Sequence, residues 1–321
     1  TAEWYRNTSE DLLYAVPVPE QAGVSNTTVT MNAASMNNSG FEFAATYRNR
    51  DHDFKYEVSA NLSTVRNRVT SLGFGTDSYI SGAYITNVGE EIGKFYGWVY
   101  DGIARTQADL DNHATQEGAQ IGDCLYKDVS GPDGKPDGKV DANDQVVLGS
   151  GMPKINFGLN ARFEYKRFDL SIATFGALNY HVSDDIHNSL NSCYGWGNKE
   201  VRMLDANRFS EDGSTYLSNV PRTYVTNSAS LAWNDLFSDC KIQNAAYWKI
   251  ANIELGYNFP NEWFGKYVSD VRFYVSAQTL HTFTGYKGYN VDYAGGTFTP
   301  GYNFCSYPTA RTFMCGVHFT F

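Results

Sequence analysis

The sequence predicts an all-β fold, an antiparallel β-barrel that crosses a membrane and carries long loops at one end, and three observations support that expectation. Aromatic residues make up 15% of the chain, with 23 Tyr and 20 Phe, and 29 Gly accompany only 19% charged residues, a composition that favours strands and turns over helices. Segment after segment alternates apolar and polar residues with the two-residue period of a strand. The connections between segments alternate as well, short at one end of the sheet and long at the other, a pattern natural to a membrane barrel and without general cause in a soluble sandwich.

Taken in order, the strand signals are a short one at 1–7, then 39–49, 54–69, 155–165, 168–182, 247–259, 271–283 and 308–321. The pattern is cleanest in 155–165, where Ile155, Phe157, Leu159, Ala161, Phe163 and Tyr165 oppose Asn156, Gly158, Asn160, Arg162 and Glu164, the alternation that puts one face on lipid and the other on a polar interior. The last segment repeats it with Phe313, Cys315, Val317, Phe319 and Phe321. Short links fall at 50–53, 166–167 and 260–270, long ones at 8–38, 70–154, 183–246 and 284–307. Because so long a link without structure would be improbable, 70–154 is expected to fold over the barrel mouth, with strand-like alternation over 93–102 and a short helix over 107–113. A further helix is expected near 199–208. The polar strand faces carry Glu42, Arg48, Lys55, Glu57, Arg66, Arg162, Glu164, Asp169, Lys249, Glu254, Arg272 and His318, charges of both signs that suit a wet lumen.

Composition also excludes. An excess of 35 Asp and Glu over 25 Lys and Arg argues against nucleic acid as a partner. No run approaches the ~18 to 20 apolar residues of a membrane helix. There is no Gly-x-Ser-x-Gly elbow, no phosphate-cradling loop and no His pair at metal spacing, so an enzyme is not expected. The chain opens on Thr1 without a signal peptide and reads as a processed product or a piece.

Six segments, "IGKFYGWVYDGI" (92–103), "GDCLYKDVSG" (122–131), "DGKVDANDQVVLGSGMPKINFGLNARFEYKRFDLSI" (137–172), "YWKIANIELGYNFP" (247–260), "VRFYVSAQTLHTFTGYKGY" (271–289) and "YPTARTFMCGVHFTF" (307–321), resemble in kind and order the C-terminal part of a SusC/RagA-family TonB-dependent outer-membrane transporter. One departure is "GPDGKP" at 131–136, which interrupts a usually compact Asp-x-Asn-Gly-Asp-Gly run. The resemblance implies that 1–321 is the C-terminal portion of one larger barrel, whose N-terminal plug and remaining strands lie outside this chain. It also implies a Gram-negative outer membrane, import of an oligosaccharide or oligopeptide, energy through TonB and a SusD-like lipoprotein as lid. Two alternatives stay open: a self-contained eight-stranded outer-membrane barrel with a structural or adhesive role, and a secreted sugar-binding sandwich.

Candidate sites follow. Asp133, Asp137, Asp141 and Asp144 occupy positions 1, 5, 9 and 12 of a calcium loop, with Gly138 at the sharp turn; Lys135 at position 3 and Asp in place of a closing Glu also fit a solvated Gly/Asp turn. Tyr194, Trp196, Trp233 and Tyr289 are the loop aromatics taken as substrate-binding, since rings stack on sugar faces or grip apolar side chains. Cys193 and Cys240, within one long loop, are expected to pair as a disulfide, with Cys124 and Cys305 as competing partners.

Overall fold

The computed structural model describes residues 1–17, 28–73, 75–193, 197–223, 233–264, 268–292 and 295–321. Eight long strands form one antiparallel sheet in sequence order: β1 (Ala2–Pro17), β2 (Thr28–Asn49), β3 (Phe54–Thr64), β4 (Ile155–Tyr165), β5 (Phe168–Leu178), β6 (Tyr247–Asn258), β7 (Asp270–Thr284) and β8 (Thr312–Thr320). A ninth strand, Arg66–Ser71, continues past β3 and pairs with β2 alone. β1 pairs only with β2 and β8 only with β7. A self-contained eight-stranded barrel needs those two edges joined, and the described residues do not join them. Nor does a second sheet cover the apolar face, as a sandwich requires.

The wall follows from the alternation. Leu159 pairs with Ala60 and Thr174, and Phe157 with Leu62 and Gly176, so apolar side chains share one outward face, on which Leu159, Leu62, Trp248, Leu255 and Val275 are exposed. Asn160, opposite Ser59 and Ala173, lies on the inner face with the charges.

Three strands end differently from their sequence signal. The connection expected at 8–38 is mostly strand: β1 and β2 stay paired out to Pro17 and Thr28, a tall ribbon kinked where Asp11 takes φ 56° and the register slips between Ser9 and Leu12. Beyond the lipid neither face is required to be apolar, so this ribbon alternates only in part. β3 loses β4 after Thr64, the Val65 N–H making one last bond in that register to the Lys154 carbonyl at 2.9 Å, and the strand then goes on as Arg66–Ser71 against β2 alone. β5 stops at Leu178, since Asn179 at φ 60° bends the chain into the strand His181–Asp184, a left-handed conformation that Asn tolerates.

The links at 50–53 and 166–167 and the described residues 259–264, which include the 3-10 turn Asn261–Trp263, lie at one end and are short. The other end carries a cap of three small sheets. Strand-like 93–102 is split into Lys94–Gly97 and Tyr100–Ile103 at Trp98, whose N–H leaves its own strand for the Phe237 carbonyl at 3.0 Å. Helix α1 (Gln107–Asn112) forms as expected, closed by a reciprocal cap between Thr106 and Asp109. The helix expected near 199–208 is a 3-10 turn, Val201–Asp205, with only Met203 buried. The cap seats on the wall through a core of Ala177, Tyr180, Val182, Ala245, Tyr247, Tyr286 and Val291.

Candidate functional site

The wall has the build of a lipid-facing surface. At the plain end, rings crowd its outer face: Phe54 lies 5.9 Å from Tyr56 and 6.0 Å from Phe163, and Phe168 lies 4.8 Å from Tyr257. On β6 and β7 a second belt stands nearer the cap, where Trp248 stacks on Phe283 at 5.4 Å. From Trp248 to Tyr257 the strand climbs about 30 Å, or about 23 Å along the membrane normal at the usual barrel tilt, close to the ~25 Å apolar band between aromatic girdles. The inner face pairs three of its arginines. Arg48 meets Glu57 at 2.6 Å, Arg162 meets Glu164 at 3.0 Å, and Arg272 spans Asp169 and Glu254 at 2.5 and 2.8 Å.

Several hollows open on the cap, and two are bordered by its buried charges and thiols. A trough of about 580 Å³ is lined by α1 residues Gln107, Leu110 and Asp111 together with His113, Gln116, Gln120, Phe209 and Arg222. Its floor is fixed by a fully buried Asp123, which accepts both Arg222 Nε and Nη2 at 2.5 and 2.9 Å, the Asn234 amide at 2.8 Å and the Gln120 N–H at 2.9 Å. Such a paired charge in a dry setting holds its neighbours rigidly, since losing either partner leaves the other uncompensated. A second hollow of about 270 Å³ lies between Tyr100, Tyr126, Met203, Leu236 and the thiols of Cys124, Cys193 and Cys240. Burial pushes the Cys193 thiol up to about 12 and the Cys240 thiol up to about 11. Spacing pointed to neither hollow. Asp123 and Arg222 are far apart in sequence, and no local signal connects them.

Trp233 is loop core: its indole N–H donates to the Glu117 carbonyl at 2.9 Å, and its ring lies 6.3 Å from that of Tyr126. Tyr289 is exposed, in the segment after β7. Tyr194 and Trp196 lie outside the described residues. In the acidic loop the carboxylates serve the backbone. Asp144 is fully buried and accepts the N–H groups of Val129, Ser130 and Asp141 at 2.7, 3.0 and 2.8 Å. Asp141 accepts Asn143 N–H at 2.7 Å and Asp137 accepts Lys139 N–H at 3.0 Å, while Asp133 is exposed. Among the described residues no three His, Cys, Asp or Glu side chains are grouped as a metal would need.

The expected Cys193–Cys240 disulfide is corrected by the structure, in which all five cysteines are free. Both border the same hollow, but each belongs to its own packing unit. Cys193 is buried with Met203 and Val220 and donates its N–H to Asp235 at 3.1 Å. Cys240 sits in the exposed 3-10 turn Asp239–Lys241.

No model of a known protein family matches the sequence. The chain is 30% identical to TonB-dependent receptor P3 of Formosa agariphila over 99% of its own length and 32% of that protein's. Against TonB-dependent receptor SusC of Bacteroides thetaiotaomicron it is 26% identical over 99% of itself and 29% of that protein. Among solved structures, that of the RagAB peptide transporter superposes with a TM-score of 0.76 at 22% identity, covering 100% of this chain and 33% of that one. The chain thus spans about a third of the length of these relatives. An open antiparallel wall with one lipid-type face, one charged face and an elaborated mouth defines the class, part of a transmembrane β-barrel. More narrowly, the chain is similar over nearly its whole length to about a third of the length of curated TonB-dependent receptors, SusC among them.

Proposed function

We propose that the chain forms part of the wall and the outer mouth of an outer-membrane importer for oligopeptides or oligosaccharides, driven through TonB and covered by a SusD-like lipoprotein. The observation that carries this reading is the polarity of the wall: plain hairpins at one end, and at the other a folded cap that sets two hollows over a face of paired charges. A structural or adhesive barrel has no use for such hollows above a charged inner face. The free edges of β1 and β8 fit a larger barrel completed by strands from the rest of the polypeptide. Peptide cargo is favoured over glycan by the likeness to a peptide transporter alone; the second hollow, with its apolar floor of Met203, Leu236 and Val220, suits an aliphatic side chain equally well.

The test is uptake by cells carrying the full-length protein. Labelled oligopeptides should enter, competition by unlabelled oligosaccharides should be weak, and a protonophore should abolish accumulation. Uptake that survives loss of the proton-motive force refutes the energised reading, and selective glycan uptake refutes the peptide preference.

A further inference from the structure

The arginines of the upper wall do not all face the lumen, as the charge suggested for Arg66. Beyond Val65, across which the register with β2 is unbroken, Arg66 pairs with Ser39 and Arg68 with Asn37. β2 is regular from Met36 to Phe43 in its pairing with β1, so Ser39 and Asn37 share a face with Phe41 and Phe43. That is the outward face, because Phe43 pairs with Leu62, and Leu62 with Phe157. Arg6 of β1 pairs with the same Ser39, two residues above the outward Trp4. Arg6, Ser39 and Arg66 therefore form one ladder row, and Thr8, Asn37 and Arg68 the next. The intervening Asn67 and Val69 point inward and are buried, whereas Arg6, Arg66 and Arg68 are exposed. Among the described residues none of the three makes an ion pair.

Height decides what this cluster meets. Phe54, in the ring belt of the plain end, and Arg66 are twelve residues apart on one face, about 40 Å along the strand and about 30 Å along the membrane normal. That clears a ~25 Å apolar band by a few ångströms and puts the guanidinium groups at headgroup depth on the cap side. Directly below lie the exposed rings of Trp4, Phe41 and Phe43, which anchor the lipid boundary. Across the ladder, neighbouring Cβ atoms are about 5 Å apart, so Arg6 and Arg66 flank the short Ser39 side chain at about 10 Å from each other. Both reach a single tetrahedral anion seated over Ser39, and Arg68 reaches it from the row above. Guanidinium forks match phosphate oxygens two at a time.

The geometry points to a binding site for a phosphorylated lipid headgroup of the outer leaflet on Arg6, Arg66 and Arg68, with Ser39 and Asn37 as its polar floor. This rests on the membrane placement proposed above. A protein partner is the weaker fit, since the cluster stands on the lipid-facing side of the wall directly over exposed rings.

Full-length protein, purified and reconstituted, would be titrated with phosphatidic acid in phosphatidylcholine vesicles, with bound lipid counted by native mass spectrometry. The variant Arg6→Ala/Arg66→Ala/Arg68→Ala should bind phosphatidic acid roughly 100-fold more weakly. Arg208→Ala, which removes an exposed cap arginine paired with Asp205, should bind as the unaltered protein does. Heat-modifiable gel migration, which reports folded barrel, should be the same for all three. Unchanged lipid binding in the triple variant overturns the site, and so does an equal loss in Arg208→Ala. Displacement of the lipid by millimolar inorganic phosphate overturns its assignment to a headgroup. If the unaltered protein fails to insert into vesicles, the membrane placement itself is refuted instead.

Discussion

Replacing Leu159 by Arg tests the lipid-facing assignment at its strongest point. β4 spans ten residue steps from Ile155 to Tyr165, about 33 Å of strand and about 25 Å of membrane normal. Leu159 lies four steps from the cap-side end and six from the plain end, within about 3 Å of the middle of the band. A cation there costs roughly 2 to 4 kcal/mol. Asn160, one residue on, is turned to the inner face between Ser59 and Ala173, where an added Arg finds water and the carboxylates of the lumen and should cost within about 0.5 kcal/mol. The two variants differ in charge by the same amount and in sequence by one position, so only the face distinguishes them. Denaturant unfolding of the full-length protein from phosphatidylcholine vesicles, followed by tryptophan fluorescence, gives the comparison. Equal destabilisation by Leu159→Arg and Asn160→Arg, or a larger cost for Asn160→Arg, would refute the assignment of the two faces.

Three further outcomes are expected. A Cβ on Gly40 would sit 1.8 Å from the Thr64 carbonyl, whereas one on Gly158 meets only the side chain of Asn61, at 2.9 Å; Gly40→Ala should therefore lower stability by about 1 to 3 kcal/mol and Gly158→Ala by distinctly less in the same unfolding assay. Arg222→Ala leaves the buried Asp123 unpaired at a cost of roughly 3 to 5 kcal/mol, and hydrogen exchange should show 104–126 and 217–223 loosening while the wall keeps its protection. Alkylation requires thiolate, so with Cys240 held near 11 only about a thousandth of it is reactive at pH 8. Its labelling rate should rise about tenfold per pH unit from 8 to 10, with Cys193, at about 12, slower still, and peptide mapping that finds either one oxidised in the folded protein would contradict the free thiols.

How much of this was legible follows from what each segment touches. β4 matches its sequence signal residue for residue, because lipid on one side and lumen on the other force a choice at every position. Once the chain leaves the band that constraint weakens: the β1–β2 ribbon alternates only in part, and at Asn179 the signal overruns the strand because the pattern does not record the left-handed turn there, whereas the 54–69 signal runs through Val65 into Arg66–Ser71 in one register with β2. Arg66 is a different case: counting by twos from Leu62 puts it on the outward face, and only its charge suggests the lumen. Its pairing with Ser39 keeps the register in which Phe43 pairs with Leu62, so the face does not change across Val65. In the cap, α1 was visible through its own capping pair, Thr106 and Asp109, but the trough was not, since Asp123 meets Arg222 and Asn234 across folds of chain. Trp233 shows the limit of composition. A loop tryptophan reads as exposed until the partner that covers it, here Tyr126, is known.

The inner face adds a constraint on how cargo is selected in the importer we propose. Three of its arginines are matched within the wall itself: Arg48 by Glu57, Arg162 by Glu164, and Arg272 by Asp169 and Glu254; Lys55 makes no ion pair among the described residues. Gly256 makes room for Arg272, because a side chain there would meet both Arg272 and Asp169 at 2.4 Å. Lys249, high on β6, is likewise taken up by Asp292 at 2.5 Å and lies 5.7 Å over the Phe175 ring. A wall most of whose cations are paired presents dipoles more than a net field, and transit needs binding weak enough to release. Such a surface does not sort cargo by charge. Discrimination then falls to the cap, where buried pairs such as Asp123–Arg222 fix the shape of the hollows above the lumen, and a substitution that alters cargo preference without reducing flux belongs there rather than on the strands.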